Sequence, residues 1–284
     1  MRVVIALGGN ALLRRGEPLR AETQRRNIAV AARVIAEIAE KHDVVITHGN
    51  GPQVGLLALQ AAQGSEPGGG SANWPLDVLN AESEGMIGYL IEQELGPRLP
   101  DRRFATLLTQ VEVDPADPAL ARPRKPIGPV YDETEARRLA AARGWTVAPD
   151  GAGWRRVVPS PRPIRILEIG TIRHLVAENV IVICAGGGGI PVVSGPGGAL
   201  HGIEAVIDKD RTSALLARDI GADALLLLTD VAGVYLGFGT DSAVLEREIA
   251  CDAVAGLGLA PGSMRPKAEA AAEFAASGGI AVIG

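Results

Sequence analysis

Lys125, Lys209 and Lys267 are three of only four lysines in a 284-residue chain that carries 24 arginines. Each stands beside proline or aspartate, in Arg124-Lys125-Pro126, Asp208-Lys209-Asp210 and Pro266-Lys267. Arginine offers a planar fork. Lysine offers a compact charge on a flexible stem, suited to following a phosphoryl group as it passes between two oxygens. Asp208-Lys209-Asp210 runs into the apolar Ala214-Leu215-Leu216-Ala217, which predicts a lysine in the first turn of a helix. Lys267 opens a second helix, with Ser263 as N-cap and Pro266 in the first turn. A cation there opposes the helix dipole at a cost of a few tenths to about 1 kcal/mol. The placement makes sense when an anion lies in front and draws on both the charge and the free N–H groups. The plainer alternatives are solvated lysines paired with nearby aspartates or Glu269, and a genome that writes Arg for Lys. Lys125, stiffened by Pro123 and Pro126, reads as a basic tip able to reach over a cleft.

Glycine-rich turns follow three apolar runs. These are Gly8-Gly9-Asn10 after Val4–Leu7, His48-Gly49-Asn50-Gly51-Pro52 after Val45–Thr47, and Gly186–Gly189 after Ile181–Ala185. Backbone N–H groups in such turns form anion sites. None matches the dinucleotide fingerprint or a Gly-Lys-Ser/Thr phosphate loop. His48 reads more readily as structural than as catalytic. No Ser-His-Asp order and no His/Cys metal spacing is present.

The elements that must position these residues follow from periodicity. Val3–Leu7, Val44–Thr47, Ala105–Leu108, Val180–Ala185, Ala224–Leu228 and Ile280–Ile283 read as buried strands. Between the first two, Ile28, Ala31, Ala32, Ile35, Ile38 and Ala39 mark one face of a helix. The alternation predicts an α/β fold with a mostly parallel sheet covered on both sides, which binds ligands beyond the carboxyl ends of its strands. Residues 111–163 interrupt the pattern with nine of the 19 prolines, Trp145 and Trp154. They predict a small excursion from the sheet, with a helix over Glu133–Arg143, rather than a long surface loop.

A net charge of −5 gives no electrostatic footprint for nucleic acid. No apolar run reaches membrane-spanning length. Cys184 and Cys251 read as two reduced thiols of a cytoplasmic protein.

Taken in order, several motifs resemble those of carbamate kinase. They are Leu7-Gly8-Gly9-Asn10-Ala11-Leu12, His48-Gly49-Asn50-Gly51-Pro52-Gln53-Val54-Gly55, Lys125-Pro126-Ile127-Gly128-Pro129, Trp154–Pro161, Gly186–Val192, Val206–Asp210, Leu228-Thr229-Asp230-Val231, and Gly262-Ser263-Met264 with Pro266-Lys267. The resemblance implies the amino-acid-kinase fold, a three-layer α/β/α sandwich with a protruding subdomain, usually a homodimer. It implies reversible phosphoryl transfer between ATP and carbamate, giving ADP and carbamoyl phosphate in arginine catabolism. Mg²⁺ would be carried by the nucleotide, with no metal ligands from the protein. As a single domain over residues 1–284, the chain would place a substrate-binding lobe at 1–185, including the subdomain at 111–163, and a nucleotide-binding lobe at 186–284. The fold would read as cut short at Gly284.

The resemblance also implies roles. Lys209 and Lys267 would hold the transferring phosphoryl group, Asp210 would orient them, and Lys125 would reach over the carbamate. Gly8, Gly9, Asn10, Gly49, Asn50 and Gly51 would cradle the substrate. Asp208, Thr229, Asp230, Tyr235, Ser263 and Met264 would lie at the nucleotide. Relatives in the wider superfamily carry a lysine inside the first strand where Ala6 stands here, which leaves Lys125 to replace it. Arg265 stands where the family has Gly and is expected to grip nucleotide phosphates; Glu84 stands where it has Gln. Two other readings share these residues: a sibling kinase of another small acid, and a non-catalytic nucleotide-binding regulator.

Overall fold

The computed structural model describes residues 1–14, 16–63, 74–240, 242–259 and 264–284. β1 (Arg2–Leu7) is followed by the short α1 (Gly9–Leu12), α2 (Ala21–Ala39), β2 (Asp43–His48), α3 (Gly51–Gln63) and α4 (Leu76–Leu95). Then come β3 (Arg103–Thr106), β4 (Gln110–Val113), β5 (Lys125–Tyr131), α5 (Glu133–Arg143), β6 (Val147–Asp150), β7 (Gly153–Val158) and β8 (Pro163–Ile166). The order continues with α6 (Ile169–Ala177), β9 (Val180–Ile183), β10 (Ile190–Ser194), β11 (Leu200–Gly202), α7 (Lys209–Asp219) and β12 (Ala224–Leu228). It closes with β13 (Val234–Leu236), β14 (Val244–Glu246), α8 (Met264–Ala275) and β15 (Ile280–Ile283).

All six apolar runs contribute to one six-stranded sheet, in the order β15-β12-β1-β2-β9-β3. Every neighbouring pair is parallel. Alternation along β1 shows the layering. Val3, Ile5 and Leu7 pack with Ile28 and Ile35 of α2 and Ile87 and Ile91 of α4. Val4 and Ala6 pack with Leu216 of α7 and Phe274 of α8. With both faces covered, each central strand must be apolar throughout, and that is why these strands show as continuous runs. The result is the expected α/β/α sandwich. β1 has β2 on one side and β12 on the other, so the crevice beyond its carboxyl end lies where the order of strands changes direction.

Two runs depart from the expectation of full burial. The strand expected over Ala105–Leu108 ends at Thr106, and Leu108 is 52% exposed. Leu107 still joins the sheet by donating its N–H to the Ile183 carbonyl. β15 is an edge strand, and Ile280 and Val282 point away from the core while Ala281 and Ile283 pack against it. An edge strand needs only one covered face.

The excursion is a folded unit. β5, β7 and β6 form an antiparallel sheet, and α5 covers the predicted span. Asp132 caps α5 by accepting the Glu135 N–H, and Gly144 ends it at a φ of 66°, left-handed backbone that glycine adopts without strain. The two tryptophans pack on guanidinium groups. Arg137 lies over Trp154 at 4.9 Å, while Arg143 and Arg156 lie over Trp145 at 5.0 and 4.6 Å. The ends of the excursion, β4 and β8, pair with each other beside β10 in a separate four-stranded sheet. Among the described residues no helix is long and apolar enough to cross a membrane.

Candidate active site

The turns beyond β1, β2 and β9 meet each other. Gly8 donates its N–H to the Leu228 carbonyl at 3.1 Å, and a Cβ on Gly8 would stand 2.7 Å from that oxygen. A Cβ on Gly49 would stand 3.1 Å from the Gly9 nitrogen and 3.5 Å from Cδ of Lys209. The stem of Lys209 therefore passes over the β2 turn. Asn50 is buried and donates to Asn80 Oδ1 at 2.9 Å and to Ser83 Oγ at 2.8 Å. Gly187, at a φ of 66°, leaves room for that amide, since a Cβ there would meet it at 2.1 Å. His48 is buried, with Nδ1 3.1 Å from the Gly49 carbonyl. Burial pushes its pKa down to about 4 against that hydrogen bond, so the ring is neutral at pH 7.

α7 delivers Lys209 and Asp210. Asp208 is its N-cap, and its Oδ1 accepts the N–H groups of Asp210 at 3.0 Å and Arg211 at 3.4 Å. Ser213 donates to the Lys209 carbonyl at 2.6 Å and lies 2.6 Å from the Thr47 hydroxyl, tying α7 to β2. Lys267 comes from α8, which packs against α7, and is buried. Both ammonium groups converge on Asp210. Lys209 Nζ is 2.5 Å from Oδ1, and Lys267 Nζ is 3.1 and 3.2 Å from the two oxygens.

The electrostatics of this triad are a contest between burial and pairing. Burial works against the charge of Asp210, but Lys209 and Lys267 outweigh it and hold the carboxyl below its ordinary range. Burial also opposes the charge of Lys209, yet Asp210 and then Asp208 keep its pKa above the ordinary value. Lys267 loses the contest. Burial, and after it the charge of Lys209, push it down to about 8 although Asp210 resists.

The third lysine reaches the same place from the excursion. Lys125 begins β5, and its Nζ lies 2.6 Å from Oδ2 of Asp208. What brings β5 so close is a contact of two glycines. A Cβ on Gly55 of α3 would stand 1.9 Å from Cα of Gly128, and Gly128 itself has a φ of 73°. A cavity of about 430 Å³ opens here, lined by Gly9, Gly49, Asn50 and Gly51 with Arg124, Lys125, Arg155, Asp208, Lys209 and Arg211. A site rich in cations and backbone N–H groups binds a small polyanion.

The expected residues thus separate into three groups. Lys125, Asp208, Lys209, Gly9, Gly49, Asn50 and Gly51 line the cavity. Asp210 and Lys267 lie behind it, and Gly8 underlies the β1 turn. Thr229 and Asp230 follow β12, Tyr235 lies on β13 with its ring 6.0 Å from that of Phe238, and Met264 opens α8; none of the four lines the cavity. The side chain of Asn10 and all of Ser263 fall outside the described residues. Arg265 donates Nε to the Leu259 carbonyl at 3.1 Å and is not among the described residues that line the cavity. Glu84 is buried and accepts the Thr109 N–H at 2.9 Å, and burial raises its pKa well above the ordinary carboxylate value. Arg124, Arg155 and Arg211 carry no role in the sequence reading yet line the cavity. Their adjacency to Lys125, Trp154 and Asp210 was the signal available. Among the described residues no three His, Cys, Asp or Glu side chains gather as a metal site.

The model of the amino acid kinase family matches residues 1–283. The carbamate kinase of Haemophilus influenzae is 53% identical over all of this chain and 91% of its own length. That of Rhizobium meliloti is 54% identical over all of this chain and 88% of its own. The structure of carbamate kinase from Giardia lamblia bound to AMP-PNP superimposes with a TM-score of 0.86 at 42% identity, covering 99% of this chain and 92% of that one. The chain belongs to the amino acid kinase family, within the group formed by the carbamate kinases.

Proposed function

We propose that the cavity is the phosphoryl-transfer site of a carbamate kinase, converting ATP and carbamate reversibly into ADP and carbamoyl phosphate. The observation that carries the reading is the meeting of Lys125, Lys209 and Lys267, from three separate elements, around Asp208 and Asp210 beside the glycine turns. Lys209 and Lys267 hold the oxygens of the transferring group, Asp210 orients both, and Lys125 neutralises the carbamate. Gly8, Gly9, Asn10, Gly49, Asn50 and Gly51 offer the cradle.

A carbamate oxygen attacks the terminal phosphorus, the bond from that phosphorus to the ADP oxygen breaks, and the negative charge passes to ADP. The nucleophile is already anionic, so no proton has to move. Positioning and neutralisation of spread charge carry the catalysis. Mg²⁺ would arrive as part of the nucleotide substrate; Asp208 at the cavity and Asp210 behind it are each paired with lysine.

On this reading residues 1–185 with the excursion 111–163 serve the carbamate side, and 186–284 serve the nucleotide through Asp208, Thr229, Asp230, Tyr235, Ser263 and Met264. A homodimer, a cytoplasmic setting and a place in arginine catabolism come with the family likeness. The test is a coupled assay of ATP formation from carbamoyl phosphate and Mg·ADP. Turnover is expected with carbamoyl phosphate, and turnover only with another acyl phosphate would favour the sibling kinase.

A further inference from the structure

We propose that Asp208 is a positioning residue that acts as the resident counter-ion of Lys125, and that the anionic substrate binds by taking Lys125 from it. The proposal rests on the reading of the cavity as the acyl-phosphate site. Three observations carry it.

The first is the division of labour between the two carboxylate oxygens. Oδ1 accepts two backbone N–H groups and caps α7, while Oδ2 is given to Lys125 at 2.6 Å. A cap needs only one oxygen, so the second oxygen is free to serve the lysine.

The second is the charge inventory. Arg124, Lys125, Arg155, Lys209 and Arg211 line the cavity, and Asp208 is the one carboxylate among the described residues that do so. Asp210 lies behind, occupied by Lys209 and Lys267. Arg155 and Arg211 have carboxylates of their own in Asp150 and Glu269. The negative charge nearest an incoming anion is therefore that of Asp208. Like charges so juxtaposed repel strongly when little water lies between them.

The third is mechanical. Lys125 belongs to the excursion, whose β5 meets α3 through Gly55 and Gly128. The Lys125–Asp208 pair is a further tie between the excursion and the sandwich, beside the packing of Ile127 and Val158 on Val54 and Val206 and the hydrogen bond from the Val206 N–H to the Pro159 carbonyl. Exchanging Asp208 for a substrate oxygen replaces that tie by one that runs through the substrate. Before substrate arrives, Asp208 keeps Lys125 over the cavity; once it arrives, Asp208 resists and limits the affinity. Together these effects separate KM from kcat.

The test compares Asp208→Asn and Asp208→Ser, which keep an N-cap, with Asp208→Ala, which does not. Inorganic phosphate is titrated by calorimetry, kcat and the KM for carbamoyl phosphate are measured at saturating Mg·ADP, and melting temperatures are recorded. In the Asn and Ser variants the expected result is phosphate binding about tenfold tighter, a lower KM, and a kcat reduced about tenfold because Lys125 has lost its anchor. Their melting temperatures should stay near that of the parent, while Asp208→Ala should also lose stability. Unchanged or weaker phosphate binding in both capping variants would overturn the proposal and leave Asp208 as a helix cap alone. A parent that makes no ATP would refute the assigned reaction instead, and the phosphate titration would still decide the exchange at Lys125.

Discussion

Lys209 and Lys267 are built into the sandwich, whereas Lys125 is brought to it. The first two sit at the starts of α7 and α8, share Asp210 and are largely withdrawn from water. Lys125 rides on a strand of the excursion, a quarter of its side chain is exposed, and its partner Asp208 belongs to α7. On the proposed reading of the site, the difference separates two demands of phosphoryl transfer. Charge on the moving group has to be met by cations already in place, because reorganisation at the moment of reaction is costly. The group that covers the small acyl substrate has to admit and release it, which a lysine on a separate unit can do.

The largest effect should come from the fixed pair. Lys209→Ala and Lys267→Ala are each expected to lower turnover by roughly 10²–10³, about 2.7–4 kcal/mol of barrier. Circular dichroism should stay intact, and substrate KM should change much less than kcat. Near-normal turnover in either variant would remove that lysine from the reacting group.

A second break in the comparison lies at a contact between two uncharged residues. Gly55→Ala puts a methyl group 1.9 Å from Cα of Gly128, backbone that cannot turn aside. β5 must shift, and Lys125 with it. Misplacement by about 1 Å can cost up to roughly 10²-fold in rate. The expected outcome is a loss of tenfold or more in kcat/KM for carbamoyl phosphate, with ADP affinity kept. A fully active Gly55→Ala would show that the excursion does not set the position of Lys125.

The sheet was legible in the sequence because its strands are covered on both faces and must be apolar throughout. β1, with Val3 to Leu7 all buried, is the clearest case. The four-stranded sheet of β11, β10, β4 and β8 was not, since Leu200, His201 and Ile164 face water and Pro191 and Pro163 break the pattern. At the site, Asp208-Lys209-Asp210 and Pro266-Lys267 announced themselves through a local cost, a cation in the first turn of a helix. The pairing of Lys125 with Asp208 carries no such local mark. Neither does the contact of Gly55 with Gly128, for each glycine alone reads as an ordinary turn or helix residue. Periodicity encodes which face of an element is buried, not which distant chain it will meet. The scarcity of lysine was a partial guide, because Arg124, Arg155 and Arg211 line the cavity as well.

Replacing the cation of the excursion without removing it sharpens the contrast. Lys125→Arg keeps the charge but substitutes a wide fork for a compact ammonium in a place where Pro126 and Asp208 leave little freedom. Turnover about tenfold below the parent is expected, and Lys125→Ala should fall further. Full activity in the Arg variant would mean that charge alone matters there, and that the bias toward Arg elsewhere has no bearing on this position.

The smallest effect concerns pH and only Lys267. Its pKa in the folded chain is pushed down to about 8 from an ordinary 10.5 by burial and by Lys209. Between those values the unfolded chain binds a proton that the folded chain does not, so this group makes stability rise with pH across that window. Below about 8 the lysine is charged in both states and the cost of burying it is fully present. Activity should run the other way, since the neutral amine cannot meet a developing phosphoryl charge. kcat/KM should fall to about half near pH 8 and by about tenfold per further unit. The melting temperature of the ligand-free parent, measured against Lys267→Met, should rise over the same range. Lys209, whose pKa is raised by Asp210, loses its own stabilising contribution only at higher pH, above the ordinary lysine range, so the two lysines separate on the pH axis. If activity and relative stability move in the same direction between pH 8 and 10, Lys267 is not the group that titrates.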